Sequence, residues 1–189
     1  DLATGTFQFG RPSTDGTVNV FEYVGCMVTD WTLSCDATGD GSMIEFSFNL
    51  SGKSEDTGQS LATVVYPTIT ARWSSVQASL TVAGTAYCVN SFTLSGDNGI
   101  DTDFKACAAV GGVPTIRESG LRAYTGSMTA DFDGLTQYNR YLGTDQSALV
   151  IVIQDGTSDL TITTNVMYTG STPTVSGPEV VKQESPFEC

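Results

Sequence analysis

The chain contains no histidine. That removes the serine–histidine–aspartate and cysteine–histidine nucleophile systems, ordinary zinc hydrolase sites, and the usual acid–base group near neutral pH. Basic residues are scarce: 8 Lys and Arg stand against 21 Asp and Glu, a formal charge of −13. A surface so charged repels the phosphates of nucleic acid and does not hold them. No apolar run approaches the roughly 20 residues that a membrane-spanning helix needs, and no signal-peptide core is present. The first residue is Asp1 and not Met, as in a fragment or a processed product, so a removed leader would leave no trace. No two of the five cysteines, Cys26, Cys35, Cys88, Cys107 and Cys189, form a C-x-x-C pair, and their number is odd. Cys26, Cys35 and Cys88 fall in or beside strand-like segments, where a free thiol acts as a small apolar group. The count points to folding in a reducing, intracellular compartment.

What is present is β-rich pattern. At 189 residues the chain supports one large domain, or one and a half small ones, with a sizeable core. Its clearest stretch, Arg122 to Phe187, reads strand (Tyr124–Phe132), short helix (Leu135–Leu142), and strands at Leu149–Gln154, Leu160–Val166 and Val180–Glu184. Asp131, Asp133 and Gly134 stop the first strand and offer a cap; Leu135, Tyr138 and Leu142 share one helical face, and Gly143 closes the helix. Leu149–Ile153 is uniformly apolar, as in a strand covered on both faces, whereas Leu160-Thr-Ile-Thr alternates, with one face wet.

Earlier in the chain, Thr6–Gly10 and Thr17–Val24 flank a hairpin-like turn, Gly25 marks a turn or bulge, and Cys26–Cys35 continues as a strand. Met43–Leu50 alternates, with Ile44, Phe46, Phe48 and Leu50 on one face. Ser51–Ser60 reads as loop, Leu61–Tyr66 as a short helix or strand, and Val76–Val82 and Cys88–Ser95 as strands. The rhythm is that of an antiparallel sandwich or barrel. Val28-x-x-Trp-Thr-Leu-Ser-x-Asp36 is echoed by Val89-x-x-Phe-Thr-Leu-Ser-x-Asp97 at an offset of 61 residues. This suggests a duplicated module: a partial first copy over 1–66, a connector over 67–75 and a complete copy over 76–189.

Sites of chemistry are hard to find. Asp131/Asp133 and Asp101/Asp103 are spaced as caps and turn residues more than as a catalytic pair. Asp36/Asp40 and Asp97/Asp101/Asp103 lack the spacing and closing Glu of a calcium loop. Gly111-Gly112-Val113-Pro114 lacks the Lys–Ser/Thr of a phosphate loop. Trp31, Trp73, Tyr138, Tyr141 and Tyr168 could form a sugar platform, though core packing explains most of them. The expectation is a protein that is not an enzyme and has no catalytic, metal or cofactor site.

Tyr124-Thr-Gly-Ser-Met-Thr-Ala-Asp-Phe-Asp, the Tyr138–Leu142 helix, Gly143-Thr and Leu149-Val-Ile-Val-Ile together resemble the tail tube proteins of long-tailed, non-contractile bacteriophages. So do Leu160-Thr-Ile-Thr, Val166-Met-Tyr-Thr-Gly, Pro173-Thr-Val-Ser-Gly-Pro, Val180-Val-Lys-Gln and Pro186-Phe. The first half, from Phe7-Gln-Phe-Gly-Arg-Pro to Leu50, resembles the larger members, which carry a further stretch before the point where this sequence begins. The resemblance implies an antiparallel β-sandwich with one flanking helix. It implies lateral association into rings, hexameric or, for a duplicated chain, trimeric with pseudo-sixfold symmetry. The rings stack into the virion's tail tube, assembled in the host cytoplasm around the tape-measure protein, and later pass DNA without binding it specifically. No membrane partner is implied.

Two sets of residues follow as candidates. The loop Asp97–Ile116, with Asp97, Asp101, Asp103, Phe104, Lys105, Val110 and Ile116, is expected to carry contacts between subunits. Glu22, Asp30 and Glu45 are expected to face the lumen, ahead of loop acids such as Asp56. The rival readings are a surface or secreted sandwich, such as an adhesin or carbohydrate-binding module, and the inner tube of a contractile injection system.

Overall fold

The computed structural model describes residues 3–37, 42–63, 73–102, 117–156, 158–174 and 180–189. Among these, β1 (Gly5–Pro12) and β2 (Val18–Asp36) form the expected hairpin, in register from Phe7 opposite Tyr23 to Pro12 opposite Val18. Its turn is closed by the Ser13 N–H on Thr17 O at 2.7 Å and the Thr17 N–H on Asp15 Oδ1 at 2.9 Å. Gly25 is a bulge and not a turn. Between Phe7/Tyr23 and Gly5/Cys26 strand β2 uses one residue more than β1, and Gly25 takes φ +66°, which a side chain resists. The two strands read on either side of it are therefore one strand of 19 residues.

β3 (Glu45–Ser51) and β4 (Ser54–Asp56) both pair with β2, so the expected loop Ser51–Ser60 contains a strand. The alternation in Met43–Leu50 is real, but Phe46 is 58% exposed, and Phe48 and Leu50 are exposed as well. The period is right, and the face is not in the core. Next come a 3₁₀ turn at Ser75–Gln77, β5 (Ala78–Val82) and β6 (Thr85–Ala86). Val76, read as the first residue of the strand, sits in the turn and is 92% exposed. The remaining elements are β7 (Ser91–Asp97), β8 (Ile100–Asp101), β9 (Arg117–Glu118), β10 (Ala123–Asp131), α1 (Thr136–Gly143), β11 (Ser147–Gln154), β12 (Asp159–Tyr168), β13 (Thr172–Thr174) and β14 (Lys182–Glu188). The expected last strand, Val180–Glu184, starts two residues late and runs to Glu188.

The chain falls into two compact units. Unit 1 comprises Asp1–Trp31, Phe48–Thr68 and Asp97–Arg122; unit 2 comprises Thr32–Ser47, Ile69–Gly96 and Ala123–Cys189. Neither is continuous in the sequence. In unit 2 the strands lie in the order β7-β10-β14-β12-β11-β5-β6, and β14 meets β12 only at Met167/Glu188 and Tyr168/Phe187. Its core is one face of this sheet. Ile151 sits between Leu80 and Ile162, Leu149 pairs with Val82, and Met128 and Ala130 lie across from Ser185 and Gln183. Gly126 makes room for this layer, since a Cβ there would meet the Phe187 ring and Thr93 O, both at 2.4 Å. The two echoed segments are antiparallel neighbours: within unit 2 the Ala37 N–H bonds Asn90 O, and Thr32 Oγ1 lies 3.2 Å from Ser95 Oγ.

The helix differs from its reading. Leu135 is the N-cap residue in a non-helical conformation with no side-chain cap, and Thr144, not Gly143, takes the left-handed turn at φ +51°. Leu135 and Leu142 are 58% and 60% exposed, while Gln137 is buried and Tyr138 and Tyr141 are half-buried. With Leu135 outside the helical phase, the docked face is the one that carries Gln137, and Arg140 Nη1 donates to Gln137 Oε1 at 3.2 Å. Of the cysteines described, Cys26 and Cys35 are buried as expected, whereas Cys88 and Cys189 are exposed; all four are free thiols.

Ile151→Ala, in the middle of the buried face, should cost about 2–5 kcal/mol. Leu142→Ala should change stability by less than about 0.5 kcal/mol; urea melts of both variants measure this. Burial first, then the nearby Tyr168 and Asp133, push the Tyr87 phenol up to about 12. The folded chain therefore keeps a proton that the unfolded chain begins to lose near pH 10, and this stabilising contribution fades as pH rises from about 10 to 12. Tyr87→Phe should flatten that alkaline decline in thermal melts.

Candidate functional site

Of the loop candidates, Asp97 and Asp101 are described; Asp103, Phe104, Lys105, Val110 and Ile116 lie outside the described residues. What is described is the base of the loop. β8 and β9 pair antiparallel, Ile100 with Glu118 and Asp101 with Arg117, so the two ends of the excursion meet. Asp97 is exposed and its Oδ1 accepts the Gly99 N–H at 2.8 Å. Gly99 takes φ +60°, and its carbonyl accepts the N–H groups of Ser119 and Gly120, both at 3.0 Å. Arg122 and Glu118 add an exposed ion pair at 3.2 Å. The residue that sequence reasoning missed is Asn98. It is buried, its N–H bonds Thr29 O at 2.9 Å and its Nδ2 bonds Val28 O at 2.9 Å, and so it hooks the loop base to β2.

Of the three acids, Glu22 and Asp30 belong to unit 1 and Glu45 to unit 2. Glu22 is half-buried on β2, in register with Gln8 of β1 and Asp56 of β4, and accepts a hydrogen bond from Gln8 Nε2. Asp30, eight residues along the same strand and roughly 26 Å away, accepts from Thr29 Oγ1 at 2.8 Å and Asn49 Nδ2 at 2.7 Å. Glu45 is exposed at the start of β3. Asp56 is not a loop acid: it stands on β4 directly across from Glu22. The Gly58 N–H, and then Gln59, hold its carboxyl below the usual carboxylate range. Two like charges can stand side by side here because each has its own donors.

The proposed sugar platform is not assembled. Tyr168 is buried in the core; Tyr138 and Tyr141 sit together on the helix, with ring centroids 6.5 Å apart. A different aromatic set is brought together on β1 and β2. Directly opposed residues of antiparallel strands point to one face, so the register places Phe7 with Tyr23 and Phe9 with Phe21 on the same side. Phe9 meets Tyr23 edge-on, centroids 6.0 Å apart, and the Arg11 guanidinium lies 5.1 Å from the centroid of the Phe21 ring. The Tyr23 phenol is held above its ordinary pKa, chiefly by its hydrogen bond to Glu55. The signal was in the sequence: Phe7-x-Phe9 and Phe21-x-Tyr23 fall symmetrically about the hairpin turn.

Chemistry is thin elsewhere. Among the described residues no group of three or more His, Cys, Asp or Glu could hold a metal ion. A pocket of about 310 Å³ in unit 2, beside Cys35, Tyr87, Cys88 and Phe92, has no acid or base in its wall.

A family model described as phage tail tube protein matches residues 2–189. The chain belongs to the phage tail tube protein family. It is thus a structural component of the virion's tail, non-catalytic, whose copies assemble into a tube, and its mostly antiparallel sheet with one short helix agrees with that. Membership also decides against the adhesin and carbohydrate-binding readings. Among curated proteins, none matches the chain.

The clamp at Gly99 gives a test of the loop base. A Cβ at Gly99 would meet Gly120 O at 2.8 Å and Leu121 O at 3.0 Å. Gly99→Ala should destabilise by at least about 1–2 kcal/mol from backbone strain alone. Hydrogen exchange should show lost protection at the Ser119 and Gly120 amides.

Proposed function

We propose that this tail tube protein closes laterally into rings, each subunit a β-sandwich that contributes one sheet to a continuous inner wall. The rings stack around the tape-measure protein in the host cytoplasm, in a non-contractile tail, and the finished lumen passes DNA without specific contacts. The observation that carries this reading is the family match across residues 2–189. Six copies per ring is the family expectation. If the echo of Val28–Asp36 in Val89–Asp97 records a duplication, with a partial module over 1–66, a connector over 67–75 and a complete one over 76–189, three copies would give the same symmetry. Electron microscopy of the purified chain tests this directly: stacked rings with six-fold or pseudo-six-fold views support it, and single particles at high concentration refute it.

The long loop is our candidate for contacts between neighbouring subunits or rings, its base already held by β8, β9 and Asn98. Deleting Lys105–Gly112 should leave a folded subunit that no longer forms long tubes, as sedimentation and microscopy would show; normal tubes would refute the assignment.

The lumen is proposed to be net negative, with Glu22, Asp30 and Glu45 as the acids that face it. A hexameric ring carries six times −13, or −78 formal charges. DNA carries one negative charge per roughly 1.7 Å of axis. Basic walls would hold it by counterion release, while acidic ones repel it over about 8–10 Å at physiological salt. Density for an assembled tube, with a neutral or basic inner wall, would overturn this.

A further inference from the structure

The β1–β2 hairpin covers one face only in part, at Val20, with Val18 and Val24 exposed beside it. On the first face Val20 is buried, Leu61 lies over Gly10, where a Cβ would touch it at 3.2 Å, and the Ala62 N–H donates to Gln8 Oε1 at 2.9 Å. The segment after β4 thus folds back over that side. The opposite face carries the aromatic ladder, Phe7 with Tyr23 and Phe9 with Phe21, and none of the four rings is buried. Phe9 is 53% exposed in mid-strand, beside the half-buried Phe7 and opposite the half-buried Phe21. Four rings in register on one side of a hairpin are costly to leave wet, and such patches on soluble surfaces usually mark a contact.

We propose that this aromatic face, with Arg11 at its edge, is the surface against which the next copy of the chain packs in the assembled tube. The inference rests on the tube reading above, and three observations favour a second copy as the occupant. The family is one whose members build a tube from copies of themselves. The open part of the ladder, on the order of 300 Å² of apolar surface, is the size of the anchoring centre of an interface of about 800 Å² per partner. The charge also fits: Arg11 is one of only 8 bases in a chain with 21 acids, so most surfaces that another copy can bring to it are acid-rich. A ring contact of this kind is head-to-tail, one copy's aromatic face on a different surface of its neighbour, and it closes without self-complementarity.

The test uses the full chain and two variants. Phe9→Ala with Arg11→Glu removes the exposed ring and reverses the edge charge at two exposed positions, whose described ring contacts are only those with Tyr23 and Phe21. Leu121→Ala alters a side chain that is 95% exposed in another part of unit 1 and serves as the control. The expected result is a double variant with the wild-type circular dichroism spectrum and a cooperative melt, whose fraction in rings or tubes by sedimentation falls at least tenfold. The control should assemble as wild type does. A photo-crosslinking amino acid placed at position 9 should give covalent chain-to-chain dimers from assembled tubes, which answers the same question should the double variant fail to fold. If wild type forms tubes and both the double variant assembles normally and position 9 yields no dimers, this inference fails while the tube reading stands. If wild type forms no rings at all, both fail. Wild type that stays monomeric and binds a polysaccharide column through Phe9 would replace the second copy with a sugar.

Discussion

Backbone pairing along β2 is the constraint that the rest of the chain answers to. Nineteen consecutive residues, Val18–Asp36, present donors and acceptors on both edges, and each must find a partner or water. β1 takes one edge from Val18 to Cys26, and β4 takes the other at Glu22, Tyr23 and Val24. Further along, Asn98 bonds the carbonyls of Val28 and Thr29, and beyond Trp31 the strand belongs to the second unit, where Ala37 bonds Asn90. The strand thus belongs in part to each unit, and within unit 1 it is bulged at Gly25. An inserted residue exchanges the two faces of a strand, so the side that is buried at Val20 need not stay buried downstream.

The two units differ in how much apolar surface they hide. Within unit 2 the buried apolar side chains repeat at every second residue along β5, β7, β10, β11 and β12 and continue at Phe187 of β14. Within unit 1 the described residues bury only Val20 and Cys26 among apolar side chains, and Phe9, Val18, Val24, Phe48, Leu50 and Leu61 stay exposed. Burial contributes about 25 cal/mol per Å², so two small buried side chains supply only a few kcal/mol. Among the described residues, apolar burial is thus concentrated in unit 2.

The sequence was most legible where period and burial agree. Leu149–Gln154, Leu160–Val166 and Tyr124–Phe132 became β11, β12 and β10 with small shifts at their ends; Leu160–Val166 alternates as read, whereas Leu149–Ile153, uniformly apolar in sequence, buries every second residue and only half-buries Val150 and Val152. It was least legible where period is right but burial is set by something outside the pattern. Phe46, Phe48 and Leu50 alternate cleanly and are exposed; Leu135, Tyr138 and Leu142 are spaced for a helix face, yet the first lies outside the helical phase and the last points to solvent. The site residues were legible as residue types and not as places. Glu22 and Asp30 were picked as strand acids, but nothing in the sequence showed that Gln8 and Asn49 would donate to them. Asn98 looked like one more polar loop residue, because a buried side-chain amide that bonds a distant carbonyl leaves no local pattern.

β14 shows why such cases are not noise. Lys182-Gln-Glu-Ser-Pro-Phe-Glu has little apolar alternation, yet Gln183, Ser185 and Phe187 point inward and are buried. The two polar side chains are satisfied within the core: Gln183 Nε2 donates to Ser171 Oγ at 2.8 Å, and Ser171 Oγ lies 3.2 Å from Ser185 Oγ. A satisfied buried network adds little net stability compared with an apolar core, but it discriminates strongly between registers. Sliding β14 by one residue would break all of it and turn Lys182, Glu184 and Glu188 into the core, where unpaired charge costs several kcal/mol each. The polar core and the outward carboxylates are thus two sides of one choice of register.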